Sequence, residues 1–457
     1  MHQDQRGHAM TTESPAAAAA LDTAIYNFLH WKSALMPEIK AALEADPGFG
    51  LAQAVNGLVL HAARNVAYRP MVGESLAAAR AAARAAGAGM TAREQLYVAA
   101  LDAAYRGEIA ESVSCYETIL ATDPTDLFAQ RLAQMELFWI GEMAWSADIS
   151  ERVEEAWTPE VPGYGDYLSC RAFDLEEIHD YAAAERLGRR AVELDPTDVW
   201  GTHAVAHVMI MQGRHEEGIA WLDGLKDNWA EANQMCLHLW WHRCLFHLER
   251  GEHDAVLEIH DAWVRNREHP LLQALPDLYI DLQNGASLLL RLELRGVEVG
   301  DRWDELAELT LGRLDDHTSP FTSAHYAIIL AATGRFAEAE ALLGSMRGFA
   351  AGDEGTLGPR YRAAVIPAAE AALAHRKGKH QRVVDLLLPS RRLLWQMGGS
   401  DAQRDLFFLI LADSLKTLGR KDLLGIVLAD IAAAGFTDPA GRVGYGDADG
   451  DADGDAA

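Results

Sequence analysis

Nine turn positions, Gly107, Gly141, His179, Gly213, Gly251, Gly296, Gly334, Gly378 and Gly419, recur along the chain at intervals of 34 to 45 residues. An apolar, helix-patterned stretch precedes nearly every one, and a second follows it. A unit of that length cannot bury its apolar face alone, so it must stack on its neighbours. The period therefore predicts an all-α fold: a right-handed superhelical solenoid of helix–turn–helix repeats, about nine pairs long. Glycine suits such a turn because it takes the left-handed conformation at little cost.

The register is clearest around Gly107. Ala100 precedes it, Tyr116 follows it, and Pro124 ends the second helix. This resembles the tetratricopeptide repeat, in which a small residue lets the two helices approach and an aromatic packs between them. The strings Asp123-Pro124-Thr125-Asp126 and Asp195-Pro196-Thr197-Asp198 lie two repeats apart. Each stops one helix at the proline and offers an N-cap to the next. The longer intervals place inserted segments near residues 263–275 and 349–360, where Pro270, Gly352, Gly355 and Gly358 fall.

Residues 1–20 are polar, then alanine-rich, and are expected to be disordered. The repeat array is expected over 21–445. A disordered acidic tail is expected over 446–457, where Asp447, Asp449, Asp451, Asp453 and Asp455 alternate with small residues. The net charge is −28, which opposes binding to nucleic acid or to anionic lipid. No run of roughly 18 apolar residues is present to span a membrane. Met1–Ala20 lacks the basic-then-apolar pattern of a signal peptide. The four cysteines form no CxxC pair and read as free thiols. Together these place the protein in the cytoplasm.

The central third is rich in histidine. His203 and His207 are four apart, as are His238 and His242, so each pair shares one helix face. Counted back from their turns, these four and His325 fall on or beside the inner face of successive first helices. Three readings fit them: polar core groups satisfied by neighbours, a ligand pocket with imidazoles as donors or acid–base groups, and a metal site. No H-E-x-x-H motif is present, and the expectation is no metal and no cofactor. A second cluster, Gly398 to Asp405, reads as a helix stop followed by an N-cap. Gln403 and Arg404 then sit at a helix start where an anion is favoured, or where an ordinary cap and Arg–Asp pair would serve. A third patch runs from Asp277 to Asp281 and on to Gln283, Asn284 and Ser287. In it Asp281 either orients a histidine or caps a helix. Phosphate-loop, nucleophile-elbow and dinucleotide motifs are missing.

Several of these strings resemble the tetratricopeptide repeat protein 38 family. They are Thr202-His203-Ala204-Val205-Ala206-His207-Val208, then His238-Leu239-Trp240-Trp241-His242, then Ser287 to Leu292, and finally Gly398 to Asp405 with Leu406-Phe407. The resemblance spans about residues 21–440 and implies an all-helical tetratricopeptide-type array. It implies no catalytic residue set. His203, His207, His238, His242, Asp281, His325, Gln403 and Arg404 are therefore expected to face one enclosed ligand site for a small molecule or peptide. The alternative is a cofactor-independent hydrolase or lyase with a pocket histidine as general base.

Overall fold

The computed structural model describes residues 1–433, 435, 439 and 442–445; the acidic tail expected over 446–457 lies outside the described residues. The described chain is an all-α helical-repeat solenoid of eleven antiparallel helix pairs, from Pro15–Leu29 with Leu35–Ala45 to Asp401–Thr417 with Lys421–Ala433. All nine expected turns adopt positive φ. The eight glycines lie between 67° and 84°, and His179 is at 68°. At Gly334 the bonds are those of a left-handed helix stop: Gly334 N–H donates to Ala331 O and Arg335 N–H to Leu330 O.

Two further pairs precede the nine. Their turns are built on Trp31 (φ 52°) and Arg64 (φ 47°), so no glycine marks them. Residues 1–20 are also folded, contrary to expectation. His2–Gln3 pairs antiparallel with Ala9–Met10, and Pro15 opens a helix capped by Ser14. Thr11 N–H donates to Glu94 Oε1 at 2.7 Å, tying the segment to the third pair. The expected inserts hold a π-helical turn at His260–Val264 with the short helix Pro270–Ala274, and a long helix Phe336–Gly352 followed by Leu357–Arg360.

First and second helices of a pair differ sharply. Every residue of Val199–Met211 is buried, whereas its partner His215–Leu225 buries only Gly218 and Leu222. A helix apolar on all sides belongs in the interior. The interior here is the superhelix axis, and the chain fills it. Asp401–Thr417 packs on both Val199–Met211 and Tyr279–Glu293, across well over a hundred residues of sequence. Asn233 N–H donates to Trp31 O at 2.6 Å, and Arg360 Nη2 to Glu142 Oε1 at 2.6 Å. The inner face is thus a closed core, and a polar side chain placed there must find a partner inside the protein.

Candidate functional site

Two neighbouring inner helices, Val199–Met211 and Met235–Glu249, supply the histidine pairs. The one-turn spacing sets the rings of each pair edge to face, and the packing of the helices turns the two pairs on each other. The Nε2 atoms meet: His207 to His203 at 2.9 Å, His203 to His238 at 3.1 Å, and His238 to His242 at 3.2 Å. All four residues are buried, and one nitrogen from each lies within 4.8 Å of the other three. Burial drives every one of these imidazoles well below its ordinary pKa, His207 and His238 to about 3, so the rings are neutral at physiological pH.

The groups behind the rings matter as much as the rings. His238 Nδ1 donates to Asn284 Oδ1 at 2.9 Å, from Tyr279–Glu293. His207 Nδ1 lies 3.4 Å from Glu176 Oε2, at the end of Tyr164–Glu177. Nδ1 of His203, of His207 and of His242 has no hydrogen-bond partner among the described residues. Burial and then the nearby Asp401 charge raise Glu176 to about 8. Burial and then Glu176 raise Glu177 well above the carboxylate range. Glu176 Oε2 and Glu177 Oε1 are both buried without a hydrogen-bond partner. Sequence reasoning missed this acidic pair, because two glutamates at the end of a repeat helix look like a solvated face.

His203, His207 and His238 form one wall of a cavity of about 50 Å³, and His242 stands behind them. The other walls are aromatic, including Trp31, Phe173, Trp200 and Tyr279, with Gln134, Gln283 and Gln403 among the polar lining. A larger chamber of about 520 Å³ adjoins it, sharing Trp31, Met135 and Tyr279 and reaching Phe28, Met71 and Leu278. A few water-sized groups fit the inner space. The outer chamber has the size of a small-molecule site.

The eight expected site residues divide. The four histidines and Gln403 come together. Gln403 also caps its own helix: its Oε1 accepts from Ser400 N–H while Ser400 Oγ accepts from Gln403 N–H. Arg404 stands one step away. Its guanidinium donates to Gly399 O and, at 2.5 Å, to Asp401 Oδ1, and its charge acts on Glu176 and Glu177. It is an internal ion-pair partner and not an open anion anchor. His325 is elsewhere: Nδ1 bonds to Phe321 O at 2.9 Å and the ring packs on Phe321 and Phe407. Asp281 does not line the cavity. Its neighbouring charges are Arg265 and Glu305, and burial raises its carboxyl to about 8. A helix buried on all sides has faces leading away from the axis, and Asp281 lies on one of them.

The four Nε2 atoms could hold a metal ion. A second grouping, His375, His380 and Asp413, is only half-buried, and its members are already paired: His375 Nε2 with Asp413 at 2.6 Å and His380 Nδ1 with Ser414 Oγ at 3.2 Å.

No family model matches the chain. Among solved structures it is similar to yeast Tom70, with 12% identity over 93% of this chain and 86% of that chain, at a TM-score of 0.38. It is similar to the TPR domain of P58(IPK), with 13% identity over 64% and 82% at 0.20. It is also similar to Naa15/Naa10 bound to HypK-THB, with 14% identity over 92% and 63% at 0.25. At these scores none of them assigns a role to any residue here. The resemblance to the tetratricopeptide repeat protein 38 family rests on the residues quoted for it, and the chain's own helix pairs carry the fold.

Proposed function

We propose that this chain is a helical-repeat binding protein. Its ligand lays an apolar body in the 520 Å³ chamber and points one polar end at the histidine wall. The observation that carries this is the shared lining of the two cavities. Trp31, Met135 and Tyr279 border both, so the large apolar chamber lies against the cavity that the histidines wall. Apolar walls supply affinity, and a few placed polar groups select orientation. A small molecule, or the anchoring side chain of a peptide, fits this shape. A nucleic acid does not, given a net charge of −28. No described helix is long and apolar enough to cross a membrane. The four free thiols support a reducing, cytoplasmic setting.

The alternative of a hydrolase or lyase with a histidine general base draws no support from Asp281. The carboxyl expected to orient that base does not line the cavity, and its neighbouring charges are Arg265 and Glu305.

The test is a thermal-shift panel of fatty acids, aromatic carboxylates and short peptides, repeated on Met135→Trp, which enlarges a side chain at the border of the two cavities. A ligand present at about 100 times its dissociation constant adds about 2.7 kcal/mol of stability. The expected result is one chemical class that raises the wild-type midpoint and leaves that of Met135→Trp unmoved. A panel with no hit, or a hit that Met135→Trp retains, overturns the reading.

A further inference from the structure

We propose that His203, His207, His238 and His242 bind one divalent transition-metal ion, zinc by preference, through their four Nε2 atoms. The site goes beyond the ligand chamber and does not depend on it.

The geometry comes first. An ion held tetrahedrally at about 2.0–2.1 Å from each nitrogen sets those nitrogens about 3.3–3.4 Å apart. Three of the Nε2 separations, 2.9, 3.1 and 3.2 Å, fall just short of that, and one nitrogen from each of the four rings lies within 4.8 Å of the others. The ring chemistry comes second. Asn284 Oδ1 accepts the Nδ1 proton of His238, which leaves a bare lone pair at its Nε2. The Glu176 carboxyl stands behind His207, 3.4 Å from its Nδ1, with neither atom hydrogen-bonded. Hydrogen bonds satisfy such a cluster poorly, because a single His203 N–H would have to serve both His207 and His238. A dication serves every lone pair at once. A carboxylate or amide oxygen behind a ligating imidazole also fixes the ring orientation and strengthens the ligand.

The surroundings come third. Two buried glutamates, Glu176 and Glu177, stand beside His207, each with an oxygen lacking a hydrogen-bond partner. All-nitrogen ligation suits zinc and its late first-row neighbours, whereas calcium and magnesium prefer oxygen. The expectation of no metal rested on the missing H-E-x-x-H motif. That motif places both histidines and a glutamate on one helix, whereas this set is shared between two helices, with its carboxyl on a third.

The experiment uses the full chain, purified without a histidine tag and in metal-free buffers after loading with zinc chloride. Elemental analysis is expected to return about one zinc per chain. The double variant His203→Ala/His238→Ala should fall below about a tenth of that, while His325→Ala keeps it. Asn284→Leu should bind zinc about 10–100-fold more weakly, because the ring it holds is freed. X-ray absorption on wild-type protein covers the case in which the double variant fails to fold. It should show a nitrogen-only first shell of four atoms at about 2.0–2.1 Å. Wild-type protein that takes up no zinc, cobalt or nickel overturns the proposal. So does a shell containing sulfur or six oxygens. So does zinc that survives the double variant and leaves with His375→Ala, which would move the ion to the half-buried grouping.

Discussion

Glycine turns and side-chain turns do the same backbone work in this array and opposite work beyond it. At Gly107, Gly251, Gly296, Gly334, Gly378 and Gly419 an added Cβ would meet nothing within 4 Å. These turns face open space, and glycine serves only the left-handed conformation. The three turns that forgo glycine carry side chains that reach other repeats. Trp31 packs edge-on against Trp200 at 5.4 Å and lines both cavities. Arg64 bonds Glu136 at 2.5 Å and lies 3.6 Å over the Trp139 ring. His179 Nε2 bonds Asp401 Oδ2 at 2.8 Å, spanning 222 residues. A non-glycine residue at positive φ costs about 1–2 kcal/mol, and such strain persists where surrounding contacts over-determine it. The array accepts that cost at these three turns; at Gly141, by contrast, the Trp395 carbonyl leaves no room for a Cβ, so glycine serves the close approach as well as the conformation.

The largest effect should come from Arg64→Ala. Burial opposes the Glu136 charge, but the Arg64 guanidinium and His61 hold its pKa down at about 2. Removing the guanidinium strands a buried carboxylate, at a cost of about 3–5 kcal/mol. Arg64→Gly should be milder by about 1 kcal/mol, because it also relieves the turn. Urea-melt midpoints check both, and equal midpoints for the two variants would break the comparison. Next comes Gly334→Val. It loses about 1–2 kcal/mol through left-handed strain alone, since space is open around it. An unchanged melting midpoint would mean that the glycine turns are not conformationally required.

The smallest and most pH-sensitive change is His179→Gly. The hydrogen bond that His179 donates to the Asp401 carboxylate raises its pKa above the ordinary value; burial opposes the rise, the Asp401 and Glu176 charges add to it and Arg404 opposes it. A histidine raised in the folded state contributes stability fully below about pH 6.5, and that stability is lost as pH rises through the folded value. Wild type should therefore exceed His179→Gly near pH 6. The gap should shrink towards pH 8, where relief of the turn favours glycine. A gap that widens with rising pH would remove the histidine–aspartate bond from the account.

The same contrast separates what the sequence disclosed from what it hid. Glycine punctuation disclosed nine turns, His179 included, because its neighbours kept the repeat spacing. Trp31 and Arg64 hid two more pairs, since neither residue type signals a left-handed turn. Four-residue spacing disclosed that His203 pairs with His207 and His238 with His242. It could not disclose that the pairs meet, because that distance is set by how two helices cross. Asp281 and His325 were misplaced for one reason. On helices buried on every side, polarity does not mark the face towards the axis, so a buried carboxyl beside Arg265 looks the same in sequence as one beside a histidine. Arg404 read either as an anion anchor or as half of an Arg–Asp pair; it bonds Asp401 Oδ1, and its other acceptor, Gly399 O, is a backbone atom that the sequence does not mark.

The helix Asp401–Thr417, lodged against Val199–Met211 and Tyr279–Glu293, has a consequence for synthesis. An open solenoid is complete at every length: each new pair settles on the last, and the growing end is as stable as the finished one. Here the helix that fills the centre is made long after the helices it packs against. Until residue 417 has left the ribosome, the inner helices enclose a hollow lined with tryptophan and histidine. At about 5–20 residues per second that interval lasts for many seconds after the first histidine pair emerges. Nascent chains of intermediate length should therefore be sticky, and the array should gain its final resistance to protease in one late step and not repeat by repeat.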